Sequence, residues 1–325
     1  MRAGVRVFEN FINGLKNGFK VANATRKLVF KDKSLFMYPI LAAVIAIVAA
    51  IVIIVAAFGL YVAAHLQVQH GAGIAVFIIT LIILYIVVFF TSTYLTIAML
   101  IAFREYTSGK SITMGDALGR TRPYMKLILE WAIFYTVIAT IIQIIEGAIR
   151  AAFSRYGIGG NIISGVLTGG LSLGLAAVTA FALPVIIDEK KGPIETIKLS
   201  ASFIMKNFGD TFGGLLFAEI FQIVFLLIGL GLIFLGILVF GVPALGIALV
   251  VLGFLVITAG VLLRYVLFNC FKMIVYDYKT RKKLPKGFDA KLIDGSVKRK
   301  GKQSGGNPFS INPLGSFGGQ QQDNI

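Results

Sequence analysis

The stretch DEKKGPIETIKLSASFIMKNFGD, residues 188–210, decides how this chain is read. It is the longest clearly polar interruption in a sequence that otherwise alternates long apolar runs with short breaks. Gly192 is followed by Pro193, and proline favours the first position of a helix, where a backbone N–H has no partner anyway. Ile194, Ile197, Ala201, Ile204, Met205 and Phe208 then fall on one helical face, with Glu195, Lys198, Ser202 and Lys206 largely off it. That pattern predicts a short amphipathic helix lying on a membrane and feeding the apolar run that follows.

Working outward, the runs on either side are long enough to cross a bilayer, which takes about 20 apolar residues. Hydrophobic residues make up 57% of the 325-residue chain, too many for a soluble domain. The mean hydropathy is +0.87. The runs are apolar on every face, so they read as helices and not as the alternating strands of a membrane barrel. The expected spans are 35–64, 74–103, 127–145, 158–187, 212–240 and 244–271. A signal peptide does not fit the first run, which is too long and begins too late.

Two further breaks resemble the opening stretch. In 1–34, Phe8, Phe11, Ile12, Leu15, Phe19 and Ala22 recur at helical spacing, opposite Glu9, Asn10, Asn13, Lys16, Asn17 and Lys20. In 104–126, Thr113 and Asp116 stand three apart as an N-terminal capping pair, and Met114, Ala117, Leu118 and Thr121 form a narrow apolar stripe. The fold class expected is all-α: a polytopic membrane protein with six transmembrane helices as three hairpins, each preceded by a cytoplasmic amphipathic helix. Its parts are an interfacial segment at 1–34, a membrane domain at 35–278 and a basic, largely disordered tail at 279–325, rich in Gly, Asn and Gln near its end.

Charge supplies the orientation. The net charge is +16, and the basic residues gather in the breaks and the tail. That distribution follows the positive-inside rule, so anionic lipid headgroups, not nucleic acid, are the expected partner. The breaks at 65–73 and 241–243 carry no Lys, Arg, Asp or Glu, which places them outside the cell and both termini in the cytoplasm. Lys279, Arg281, Lys282, Lys283 and Lys286 are the candidate headgroup contacts, with a second basic cluster at Lys298, Arg299, Lys300 and Lys302. Residues 188–210 balance four basic against four acidic side chains, which makes them the break expected to meet a protein partner.

Few residues could carry chemistry. Charged side chains inside a span are costly and invite a functional hypothesis. Glu130, close to Lys126 and beside Trp131, reads as interfacial. Glu219 and Arg264 lie 23 residues before and 22 after Val242, so an antiparallel hairpin brings them to one depth, where opposite charges should pair. The pair either fixes hairpin register or forms a relay for a proton or solute. Gly165/Gly169 and Gly170/Gly174 have the spacing of closely approaching membrane helices, although glycine is common in such helices generally. Pro184 is expected to kink its helix.

His65 and His70 lack a third ligand, and Cys270 is the single cysteine, so no metal site and no cofactor are expected. Ser164, Ser172 and Ser200 sit in no nucleophile motif, and no phosphate loop is present. The chain is therefore not expected to be an enzyme.

Four segments carry a resemblance: KLVFKDKSLFMYPIL (27–41), AFREYTSGKSITMGDAL (102–118), LPVIIDEKKGPIETIKLSASFIMKNFGD (183–210) and YDYKTRKKLPKGFD (276–289). With these the chain resembles, over about 8–289, a prokaryotic family of six-helix membrane proteins labelled as a domain of unknown function. It also looks distantly like the membrane domain attached to some glycerophosphodiester phosphodiesterases. The resemblance implies a six-span integral membrane domain and supplies no activity, ligand or catalytic residue. The phosphodiesterase chemistry belongs to a separate catalytic domain and is not carried over. The expected role is structural or membrane-organising in the cytoplasmic membrane; the alternative is a small-solute transporter or channel using Glu219 and Arg264.

Overall fold

Long apolar runs in a low-dielectric setting must satisfy their backbone groups internally, and this chain does so as helices. The computed structural model describes residues 2–65, 71–239, 241–281 and 283, and among these no strand occurs. The helices are α1 (Arg2–Lys31), α2 (Met37–His65), α3 (Gly71–Thr107), α4 (Met114–Thr121), α5 (Met125–Phe153), α6 (Gly157–Thr179), α7 (Ala182–Glu189), α8 (Pro193–Lys206), α9 (Phe208–Leu238) and α10 (Pro243–Arg281). Short 3-10 turns precede α2, α5 and α6.

Five helical stretches are long and apolar enough to cross a membrane: Lys33–Gly59, Ile78–Thr107, Met114–Glu189, Phe208–Leu238 and Pro243–Arg281. The chain is thus a multi-pass helical membrane protein. The third stretch holds both α5 and α6, which follow one another through a single 3-10 turn, Ser154–Tyr156.

Local chemistry explains the helix ends. Thr113 accepts from the Asp116 backbone N–H while Asp116 accepts from the Thr113 N–H, the reciprocal cap expected from their spacing. Gly192 caps α8 and Pro193 opens it. Lys190 stands in the left-handed region at φ 51°, which turns the chain sharply out of α7.

Pro184 breaks its helix instead of kinking it: α6 ends at Thr179 and α7 starts at Ala182. Lacking an N–H, Pro184 cannot bond the carbonyl four residues back, and the Phe181 N–H is satisfied by Ser200 Oγ at 3.0 Å. Ser200→Ala should leave that buried N–H without a partner and cost about 1–3 kcal/mol. The check is thermal unfolding in detergent; an unchanged midpoint would show that water fills the role.

The same bond explains the face of α8. Its buried residues are Thr196, Ser200 and Ile204, whereas Ile194 and Met205 are exposed. The inward face is turned away from most of the stripe read in the sequence, because Ser200 meets the Phe181 N–H inside while Thr196, also buried, is satisfied locally by the Lys191 carbonyl at 3.1 Å.

The buried core lies at the charged end of the bundle. It combines Val29, Leu35, 97–100, Phe103, Trp131, 185–187, Val266, Leu267, Cys270, Phe271 and 273–276. Beyond it, α2 and the far halves of α5, α6, α9 and α10 present large apolar side chains outward.

Packing partners also depart from the expected units. Sequence reading lays the first amphipathic helix on the membrane, yet α1 packs along α9 and α10. Phe11 meets Phe208 and Phe212, and Phe19 meets Phe217 edge-on. Gly14 and Gly18 face Gly209 and Gly213 so closely that no Cβ fits at Gly18. Similarly, α4 packs on α3, and α8 on α6 and α7. Each amphipathic helix thus covers the membrane helices that precede it, and α1 covers the last pair.

Candidate functional site

Arg104 occupies the last turns of α3, and its guanidinium is the hub of the charged end. It donates to Asp188 Oδ1 at 2.7 Å through Nη1 and to Asp277 through Nε at 3.0 Å and Nη2 at 2.6 Å. Asp188 also takes Arg281 Nη2 at 2.6 Å. The side chains of Arg104, Asp188 and Asp277 are 21%, 6% and 16% exposed. Two acids and two bases are therefore joined with their charges balanced, as partial burial demands.

The geometry has a pattern. Arg104, Asp188 and Asp277 each stand within the last five residues of α3, α7 and α10, and one guanidinium ties all three helices. Around it, the Tyr124 hydroxyl donates to the Ile187 carbonyl at 3.2 Å and Lys190 lies over the Tyr124 ring. Tyr94 reaches the Leu118 carbonyl at 2.8 Å, fastening α4 to α3. None of these four charged residues was singled out as a cluster from the sequence. The available signal was positional and covered only two of the four: the spans 74–103 and 158–187 close directly on Arg104 and Asp188, whereas 244–271 closes on Lys272, five residues before Asp277.

Glu219 and Arg264 do meet, with Arg264 Nε donating to Glu219 Oε1 at 2.8 Å and Nη2 to the same oxygen. They are 33% and 35% exposed, on the flank of α9 and α10. The register comes from glycines seven apart, Gly229 and Gly236 on α9 against Gly246, Gly253 and Gly260 on α10. Gly229 faces Gly253 and Gly236 faces Gly246, backbone against backbone. These were missed, because four-residue spacing was sought. The glycines that were singled out, Gly165, Gly169, Gly170 and Gly174, have open space where a Cβ would be.

The candidate headgroup contacts divide. Lys279 bonds Asp210 at 2.8 Å and Arg281 bonds Asp188, so both also serve inside the fold. Lys283 is exposed, while Lys282, Lys286, His70 and the second basic cluster lie outside the described residues. Glu130 is half-buried and 3.9 Å from Lys126. At the other end, Glu146 accepts from Ser172 at 2.5 Å, joining α5 to α6. Among the described residues, no group of three His, Cys, Asp or Glu side chains is placed to hold a metal ion.

A family model described as a family of unknown function, DUF6159, matches residues 71–285. The chain belongs to that family. The matched region runs from the first residue of α3 past the end of α10, so it contains the Arg104 cluster and the Glu219–Arg264 pair and leaves out α1 and α2. No curated protein and no solved structure matches the chain. The likeness to the phosphodiesterase membrane domain therefore has no match behind it.

Proposed function

We propose that this protein is a structural, membrane-organising element of the cytoplasmic membrane and not an enzyme. In this reading three helix pairs make six spans, and both termini lie in the cytoplasm with the basic end. The observation that carries it is the Arg104 cluster, which ties α3, α7 and α10 while the apolar halves of the pairs remain turned outward. Such a layout holds a set of lipid-facing helices from one side. The exposed edge of α8, Ile194, Lys198 and Met205, is where a protein partner would sit; crosslinks from Lys198 that reach only lipid would remove that part.

The transporter reading assigns Glu219 and Arg264 to a relay, and the two readings differ in outcome. Glu219→Gln and Arg264→Leu should each lower stability by about 1–2 kcal/mol, discounted from a buried pair because both groups are one-third exposed. The double variant should recover most of it, and purified protein in sealed vesicles should pass no protons. Variants with wild-type stability and altered proton flux would refute the structural role.

A further inference from the structure

On α9, apart from Phe208 in its first turn, the large exposed apolar side chains run from Ile220 to Leu238, about 27 Å of helix rise. On α10 they run from Leu245 to Val261, about 24 Å. Both lengths approach the roughly 30 Å of bilayer hydrocarbon. Glu219 and Arg264 immediately bound these bands, so they stand at the rim, where lipid headgroups begin.

Arg264, Phe268 and Lys272 are four apart and share one face of α10. A helical side chain leans toward its helix N-terminus, and the Lys272 ammonium accordingly lies over the Phe268 ring, 4.5 Å from its centre, toward the rim. No carboxylate among the described residues pairs with it. Lys272 thus follows Arg264 by two turns on the same face, and the nearby carboxylate is committed to Arg264, both of whose bonds fall on one Glu219 oxygen. A third cation, Arg26 of α1, sits over Phe221 at 5.4 Å, and Phe221 is two residues from Glu219 on α9. Half-buried positive charge without a counterion is costly, and the anion offered at this depth is a lipid phosphate.

We propose that the Arg264–Phe268–Lys272 face of α10 binds the phosphate of an anionic lipid headgroup, with Lys272 as its principal cation. Phe268 supplies an apolar wall on which the upper acyl chain rests, and Glu219 keeps Arg264 directed at the rim. The site is separate from the basic tail, whose lysines attract anionic surfaces diffusely, about fivefold each. It rests on the reading of the charged end as one membrane face, and it can fail without the structural role failing.

The experiment titrates the full chain, in neutral phosphatidylcholine micelles, with short-chain phosphatidylglycerol and follows the rise in unfolding temperature. Lys272→Gln should weaken the response more than about tenfold, the loss expected of a charge-assisted bond, while the exposed Lys283→Gln should change it at most about fivefold. Equal losses in both variants would overturn the site. So would inorganic phosphate giving the same protection as the lipid, which would mark a soluble-anion site. A second arm needs no variant: wild-type protein is labelled with a phosphatidylglycerol carrying a photoreactive headgroup. Labels between residues 264 and 272 are expected, and labelling confined to residues beyond 281 would refute the proposal. Proton flux in the vesicle assay with an intact lipid preference would sink only the structural role.

Discussion

Arg104→Leu is expected to destabilise the protein by about 3 kcal/mol, the lower end of the range for breaking a buried ion pair. The substitution leaves Asp277 without a counterion, 16% exposed and facing the space the guanidinium held. Asp188 keeps Arg281, which limits the loss. Since one guanidinium links α3, α7 and α10, the effect should be global and not confined to one helix pair. Thermal unfolding in detergent and the yield of monodisperse protein would measure it. Adding Asp277→Asn to Arg104→Leu should return part of the stability, because the stranded charge is then removed. A double variant no more stable than Arg104→Leu would show that the carboxylate is not what suffers.

The second large effect concerns glycine. A methyl group on Gly18 would overlap the Asp210 carbonyl oxygen and lie 2.9 Å from Gly213 Cα. These are backbone atoms, so no side chain can swing away, and α1 must shift from α9. Gly18→Ala should therefore cost about 3 kcal/mol, the upper part of the overpacking range, despite alanine's better helix propensity. Gly165→Ala should do the opposite, since open space surrounds that position, and gain up to about 1 kcal/mol. Unfolding midpoints and protease cleavage within residues 2–31 would report both. Equal behaviour of the two variants would mean that α1 does not depend on this contact.

The contrast between those glycines shows where sequence reading stops. A glycine spacing of four was visible at Gly14/Gly18 and Gly209/Gly213 as plainly as at Gly165/Gly169. Only the first two sets close a contact, because partner choice is a property of two helices and no single helix encodes it. Sequence spacing did bring Glu219 and Arg264 to one depth, since a short turn between two regular helices leaves little freedom in their register. Their relation to the hydrocarbon rim needed the distribution of exposed side chains.

The stretch at 188–210 divides the same way. Its amino acids by themselves determine a capped amphipathic helix, through Gly192, Pro193 and the apolar spacing that follows. They also determine, with the long apolar runs on either side, that the chain is helical and crosses a membrane more than once. Only the tertiary structure decided which face of that helix turns inward, because Ser200 takes the Phe181 N–H that the break before α7 leaves free. It alone decided that Asp188 and Asp210 point into the protein, toward Arg104 and Arg281 in one case and Lys279 in the other. A charge reads as solvated in sequence. Whether it is solvated depends on what folds beside it, and here opposite charges from residues some 70 to 90 positions away supply the counterions that water would otherwise provide.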